Sequence, residues 1–136
     1  MSDGATVVRD FCDLMSKRDA EALRPFLAAE SIYQNTGMPA SMGVDAIVAN
    51  LAQQMAMFPD SYEYKVINLT AEGNVVLTER IDYIRGPDGT LHGVPVMGAF
   101  VVISGTINRW TDYFDTNLVT KMMTGDDYQT LVPETY

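Results

Sequence analysis

Apolar positions in the first part of the chain recur every three to four residues. Val7, Phe11, Leu14 and Met15 fall on one side of a helix and give it a single buried stripe. Asp19 stands where it can cap a second, short helix carrying Leu23, Phe26 and Leu27, and Pro25 bends or shortens that helix. Val44, Ile47, Val48, Leu51, Met55 and Phe58 keep one face of a third helix, which Pro59 stops. Between the second and third helices, Ser31-Ile32-Tyr33-Gln34-Asn35 reads as a short strand, followed by a loop from Thr36 to Gly43.

Beyond Pro59 the period changes to two. Tyr62, Tyr64 and Val66 alternate with polar neighbours, and Glu72-Gly73-Asn74 marks a turn. Val75 to Arg85 reads as a long strand closed by Gly86-Pro87-Asp88-Gly89, and Leu91 to Ile103 as the next. Ser104-Gly105-Thr106 turns the chain into a last strand, Ile107 to Phe114, with a short amphipathic segment around Leu118 to Met123. Helices first and hairpin-linked strands after predict an α+β fold with helices packed on one face of an antiparallel sheet. Neither a repeat nor a linker divides the chain, so a single domain over residues 1–136 is expected.

Composition narrows the partners. Nine Lys and Arg against 18 Asp and Glu leave a net charge of −9, and the basic residues form no cluster. A chain so acidic is expected to bind neither nucleic acid nor an anionic membrane. The most apolar run, Val94 to Ile103, is too short to span a bilayer. The N-terminal Met1-Ser2-Asp3-Gly4 lacks the apolar core of a signal peptide, and a single cysteine, Cys12, fits a reducing compartment, so a cytoplasmic location is expected.

Strand alternation then exposes an anomaly. In the strand Val75 to Arg85, Arg80 and Asp82 share a face with Val76, Thr78 and Ile84. In the last strand Asn108, Trp110, Asp112 and Phe114 share one, which sets a carboxylate between the only tryptophan and a phenylalanine. Tyr33 and Asn35 point the same way from their short strand. If the helices cover that side of the sheet, two carboxylates, a guanidinium, a phenol and an amide meet in an apolar cavity. A buried carboxylate without a partner costs several kcal/mol, so Arg80 has to compensate at least one of the two. One arginine between two aspartates lets one carboxylate stay ionised while the other keeps a proton, which is what concerted acid–base chemistry needs.

The pieces Tyr33-Gln34-Asn35, Arg80-Ile81-Asp82 and Trp110-Thr111-Asp112-Tyr113-Phe114-Asp115 resemble the limonene-1,2-epoxide hydrolase family. The resemblance extends to Met38-Pro39 with Gly43, and to Val96-Met97-Gly98-Ala99-Phe100. It covers most of the chain in the same order. The family is similar to the wider SnoaL-like, nuclear-transport-factor-2-like group, which implies a curved, mainly antiparallel but mixed sheet that forms a cone-shaped pocket with the helices. It also implies a single-step addition of water to a small apolar or cyclic epoxide, giving a vicinal diol with neither metal nor cofactor. In that reading Asp112, Asn35 and Tyr33 hold the attacking water, Asp82 is the general acid and Arg80 bridges the carboxylates. The resemblance further implies a homodimer, for which Val75, Leu77, Ile81 and Tyr83 would offer an apolar outer face. Thr111, often basic in the family, is expected to face away from the cavity.

Other residues have plainer readings. Trp110, Phe114, Val96, Met55 and Met38 are expected to wall the pocket, and Met42 and Met97 are further candidates. His92, just after a hairpin turn, is expected at the surface, and a lone histidine makes no metal site. Cys12 reads as a small buried hydrophobe. Two other functions fit the same face. One is a SnoaL-like isomerase or polyketide cyclase using one aspartate as base, and the other is a non-catalytic module that binds a small molecule.

Overall fold

Asp3 accepts the Thr6 N–H at 2.8 Å and so starts the first helix, α1 (Gly4–Met15), which buries Val7, Val8, Phe11, Cys12 and Met15. This computed structural model describes residues 3–60 and 62–134; the leading Met1-Ser2 of the N-terminal reading lies outside the described residues. Asp19 accepts from the Glu21 N–H, as expected of a cap, but Ala20–Phe26 winds as a 3₁₀ helix. Pro25, lacking a donor, accounts for the short tight winding. Strand β1 (Ile32–Asn35) follows. The loop expected over Thr36 to Gly43 contains a two-residue strand, β2 (Ser41–Met42), paired antiparallel with Ile32 and Tyr33. Two residues are too few to show a period, which is why the pattern passes over them. Helix α2 (Val44–Met57) ends where Phe58 precedes Pro59.

The remaining strands are β3 (Tyr62–Glu72), β4 (Val75–Arg85), β5 (Leu91–Ile103) and β6 (Thr106–Tyr113), and α3 (Thr116–Thr124) is capped by Asp115. They form one six-stranded sheet in the order β2-β1-β6-β5-β4-β3. β1 runs parallel to β6, and the other neighbours are antiparallel, so the sheet is mixed and the fold is α+β. Helix α1 lies across β3 to β6 on one face. There Phe11 meets Trp110 edge-on at 5.0 Å, and Phe100 and Tyr33 stack on the same indole. Among the described residues no helix is long and apolar enough to cross a membrane.

Three sequence expectations change here. Register shifts between Val101 and Val102, so Ile107 opposes Val102 while Arg109 opposes Val101. Asn108 is therefore the extra residue of a bulge, and Ile107 is the fully buried partner of Trp110 and Asp112. On the outer face Val75 and Leu77 are part-exposed, but Ile81 is only 5% exposed. Its side chain occupies the room left by Gly93, where an added Cβ would stand 2.7 Å from Ile81 Cγ2. His92 is not at the surface. It is 5% exposed, opposite Ile84 on the helix-covered face, with Nδ1 2.6 Å from the Tyr128 hydroxyl. The alternation of β5 turns it inward with Val94 and Val96, and the nearby turn is the wrong guide.

Candidate active site

Arg80 sits near the middle of the sheet, between Val66 of β3 and Val96 of β5, and its side chain is wholly buried. A guanidinium in that position has five N–H groups to satisfy, and all five are used. Nε donates to Asp82 at 3.0 Å, and Nη2 to Asp82 and Asp112 at 2.9 Å each. Nη1 donates to Asp112 at 3.1 Å and to the Thr78 hydroxyl at 3.2 Å. The Tyr64 ring centroid lies 4.3 Å from the guanidinium carbon, a cation–π contact between two buried side chains. Room for the clamp comes from Gly98 on β5. A Cβ there would fall 2.3 Å from Arg80 Nη1 and 2.8 Å from Asp112 Oδ1, closer than real atoms approach.

The two carboxylates differ although they share one cation. Asp112, with 3% of its side chain exposed, also accepts the Trp110 indole N–H at 2.8 Å. Asp82, with 13% exposed, accepts from Arg80 alone among the described residues. Burial pushes the Asp82 carboxyl up to about 6, against the pull of Arg80 and with a further upward push from Asp112. Burial also works against the charge on Arg80, but Asp112 and Asp82 outweigh it and hold Arg80 firmly cationic. One carboxyl thus keeps its proton up to about pH 6, beside a second that accepts three hydrogen bonds.

The parallel pairing of β1 with β6 supplies the opposite wall. It sets Tyr33 beside Trp110 and Asn35 beside Asp112. The Tyr33 hydroxyl donates to Asn35 Oδ1 at 3.1 Å, and burial, with the nearby Asp112 charge, keeps that phenol protonated far above its ordinary range. From α2, Gln54 Nε2 donates to the Tyr33 hydroxyl at 3.1 Å, and Gln54 Oε1 accepts from Tyr62. A cavity of about 100 Å³ opens between these groups.

Tyr33, Asn35, Asp82 and Asp112 all line this cavity, with Arg80 directly behind the carboxylates. Val96 and Phe114 form apolar wall, as expected, whereas Trp110 stands behind Tyr33, stacked on it at 4.0 Å. Met38 and Met55 do not reach the cavity. Met38 follows the positive-φ turn at Gly37 and is 43% exposed. Met55 comes one residue after Gln54, so it points about 100° away around α2, toward the 3₁₀ helix. Met42 and Met97 are exposed too, Met97 on the outer face of β5. Thr111 pairs with Ala99 and Gln34 on that outer face, away from the cavity. The pattern missed Gln54, Thr78 and Gly98 as parts of the site and the Trp110 N–H as a donor. Trp110 and Asp112 share a face two residues apart, a spacing from which that bond was within reach.

The matches to known proteins follow this geometry. Residues 2–124 match the limonene-1,2-epoxide hydrolase catalytic domain. Epoxide hydrolase EphG of Mycobacterium tuberculosis is 30% identical over 109 residues, covering 79% of this chain and 70% of that protein. The structure of an LEH-like epoxide hydrolase from M. tuberculosis superposes with a TM-score of 0.75 at 27% identity, covering 96% of each chain. A protein assigned as a SnoaL-like polyketide cyclase from Jannaschia sp. CCS1 gives a TM-score of 0.79 at 18% identity, covering 91% of this chain and 93% of its own, a likeness of fold alone. With the match spanning the whole sheet and the stretch that carries the Arg80 clamp, the chain belongs to the limonene-1,2-epoxide hydrolase family.

Proposed function

We propose that this protein adds water to a small apolar or cyclic epoxide, yielding a vicinal diol in one step without a covalent enzyme ester. A water held by Asn35 and Tyr33 gives a proton to Asp112 as its oxygen attacks one oxirane carbon. The carbon–oxygen bond on that carbon breaks, and Asp82 gives its proton to the departing oxygen. Asp112 ends protonated and Asp82 ionised, and exchange with solvent restores both. Arg80 holds the two carboxyls together and stays charged throughout.

The observation that carries this reading is the shared guanidinium. It sets one carboxyl with a raised pKa beside a second, more heavily hydrogen-bonded one, across a cavity from a phenol and an amide. Proton transfer by a positioned group is worth on the order of 10²- to 10⁴-fold, and fixing the water adds to it. Ring strain in the epoxide supplies the rest of the driving force once its oxygen is protonated. The small cavity, well below the ~300 Å³ of drug-sized sites, fits a compact ring better than a bulky one.

The test is a single-turnover hydrolysis of limonene oxide and cyclohexene oxide in ¹⁸O-labelled water, beside an Asp112→Asn control. Diol carrying the label from the first turnover, and absent in the control, is the expected result. Label that enters only after repeated turnovers would mean a covalent ester and overturn the roles given to Asp112 and Asp82.

A further inference from the structure

The proposed roles use only one end of a part-buried polar chain. It begins at Tyr62 on β3, passes through Gln54 on α2 and Tyr33 on β1, and ends at Asn35. We infer that Gln54 is a positioning residue that fixes the direction of this chain and thereby the way Asn35 and Tyr33 present themselves to the attacking water. The inference rests on the reading of the cavity as a water-activating site.

The direction is set by which atoms face one another along the chain. Asn50 Nδ2 donates to the Ser41 hydroxyl at 3.0 Å, and the Asn50 oxygen, which can only accept, is turned toward Gln54. Gln54 Nε2 faces it at 3.0 Å and donates one N–H. The second N–H of Nε2 then points at the Tyr33 hydroxyl, and Oε1 takes the Tyr62 proton. With one lone pair occupied by Gln54, the Tyr33 hydroxyl sends its own proton to Asn35 Oδ1. Asn35 accordingly offers its Nδ2 hydrogens to the cavity, and Tyr33 keeps one lone pair free.

A water between Asp112, Asn35 and Tyr33 then has a single favourable orientation. It receives an N–H from Asn35, gives one proton to Asp112 and the other to Tyr33, and keeps one lone pair for the epoxide carbon. Without Gln54 the Tyr33 O–H is free to rotate, and Tyr33 competes with the water as a donor to Asp112. A nucleophile misplaced by about 1 Å loses on the order of 10²-fold in rate.

Three variants test this: Gln54→Leu, Gln54→Glu and Tyr62→Phe. Gln54→Leu removes both anchors while keeping an apolar side chain of similar reach. Its kcat should fall about 10- to 100-fold with KM changed less than about 3-fold, since binding of an apolar ring does not use the chain. Gln54→Glu is the sharper probe. As a carboxylate it can only accept, so it draws the Tyr33 proton away from Asn35. As a neutral acid it donates again to Tyr33 while accepting from Tyr62. Asp82 and Asp112 across the cavity, with the Arg80 cation behind them, and the Tyr33, Tyr62 and Tyr64 phenols surround it; Arg80 offsets the Asp112 charge, and partial burial favours the neutral form. The ratio of its kcat to that of the parent should therefore rise as the pH falls, a signature that loss of packing does not produce. Tyr62→Phe removes one anchor and leaves the ring, so it carries the test if Gln54→Leu fails to fold; about a 3- to 10-fold loss in kcat is expected. Parent-like kcat in Gln54→Leu or Tyr62→Phe, or a loss in Gln54→Glu that is the same at every pH, would overturn the inference. Asp112→Asn run alongside separates the two claims. If it stays active the reading of the whole site fails, and if it is dead while the Gln54 variants are normal only the positioning role fails.

Discussion

Arg80 ties the two aspartates together by giving each carboxyl two of its five donors, and the Trp110 indole N–H makes them unequal by adding a third on Asp112. Asp82 has its pKa raised to about 6 by burial, so its proton is present below that pH and lost as pH climbs through it. Turnover that needs Asp82 as an acid should therefore fall on the alkaline side. The descending limb of kcat/KM, which reports the free protein, should lie near pH 6. The limb of kcat should lie higher, because an apolar epoxide displaces water from beside the carboxyl and raises it further. A pH–rate series on cyclohexene oxide measures both, and identical limbs would show that substrate does not desolvate Asp82. At this scale strand alternation made Arg80, Asp82, Asp112, Tyr33 and Asn35 legible, since each charge stood on a face where apolar neighbours left it unexplained. Gln54 was not legible. It is one polar position on an amphipathic helix, and its meaning comes only from Tyr33 and Tyr62 meeting it in space.

Among the elements, β5 contributes to the site by what it lacks. Gly98 opposes Thr78 on one side and Asp112 on the other, and the Arg80 fork fills the space its side chain would take. Gly98→Ala should reduce turnover by at least ~10²-fold while far-ultraviolet circular dichroism still shows the parent sheet, because the added methyl displaces the guanidinium and not the backbone. Strands β4 and β5 were readable to the residue, since turn signals bound them on both sides. The phase of β6 was readable only from Trp110 onward. The bulge at Asn108 breaks the count of two, and nothing in the residues Thr106 to Arg109 announces it. β2 and the parallel step from β1 to β6 are likewise long-range choices, made by partners more than 70 residues away in the latter case.

Over the whole molecule, apolar side chains part-exposed on the outer face of the sheet gather at Val75, Leu77, Met97, Ile103 and Tyr113. We propose that two copies pair through this face, despite a charge of −9 on each, since none of these positions is charged. Sedimentation should give about 30 kDa from a 15.0 kDa chain, and Leu77→Asp should return it to a single copy. The parallel contact between β1 and β6 has one more consequence, for the order of assembly. Tyr33 and Asn35 are synthesised early, yet the strand that aligns them lies some 75 residues later, so one edge of β1 stays open while the middle of the chain emerges. The β3–β4–β5 meander can form from neighbouring segments, but the water-holding wall closes only when β6 slots between β5 and β1. The sole tryptophan sits on that closing strand, stacked between Tyr33 and Phe100, so its fluorescence is a built-in reporter of the step that completes the site.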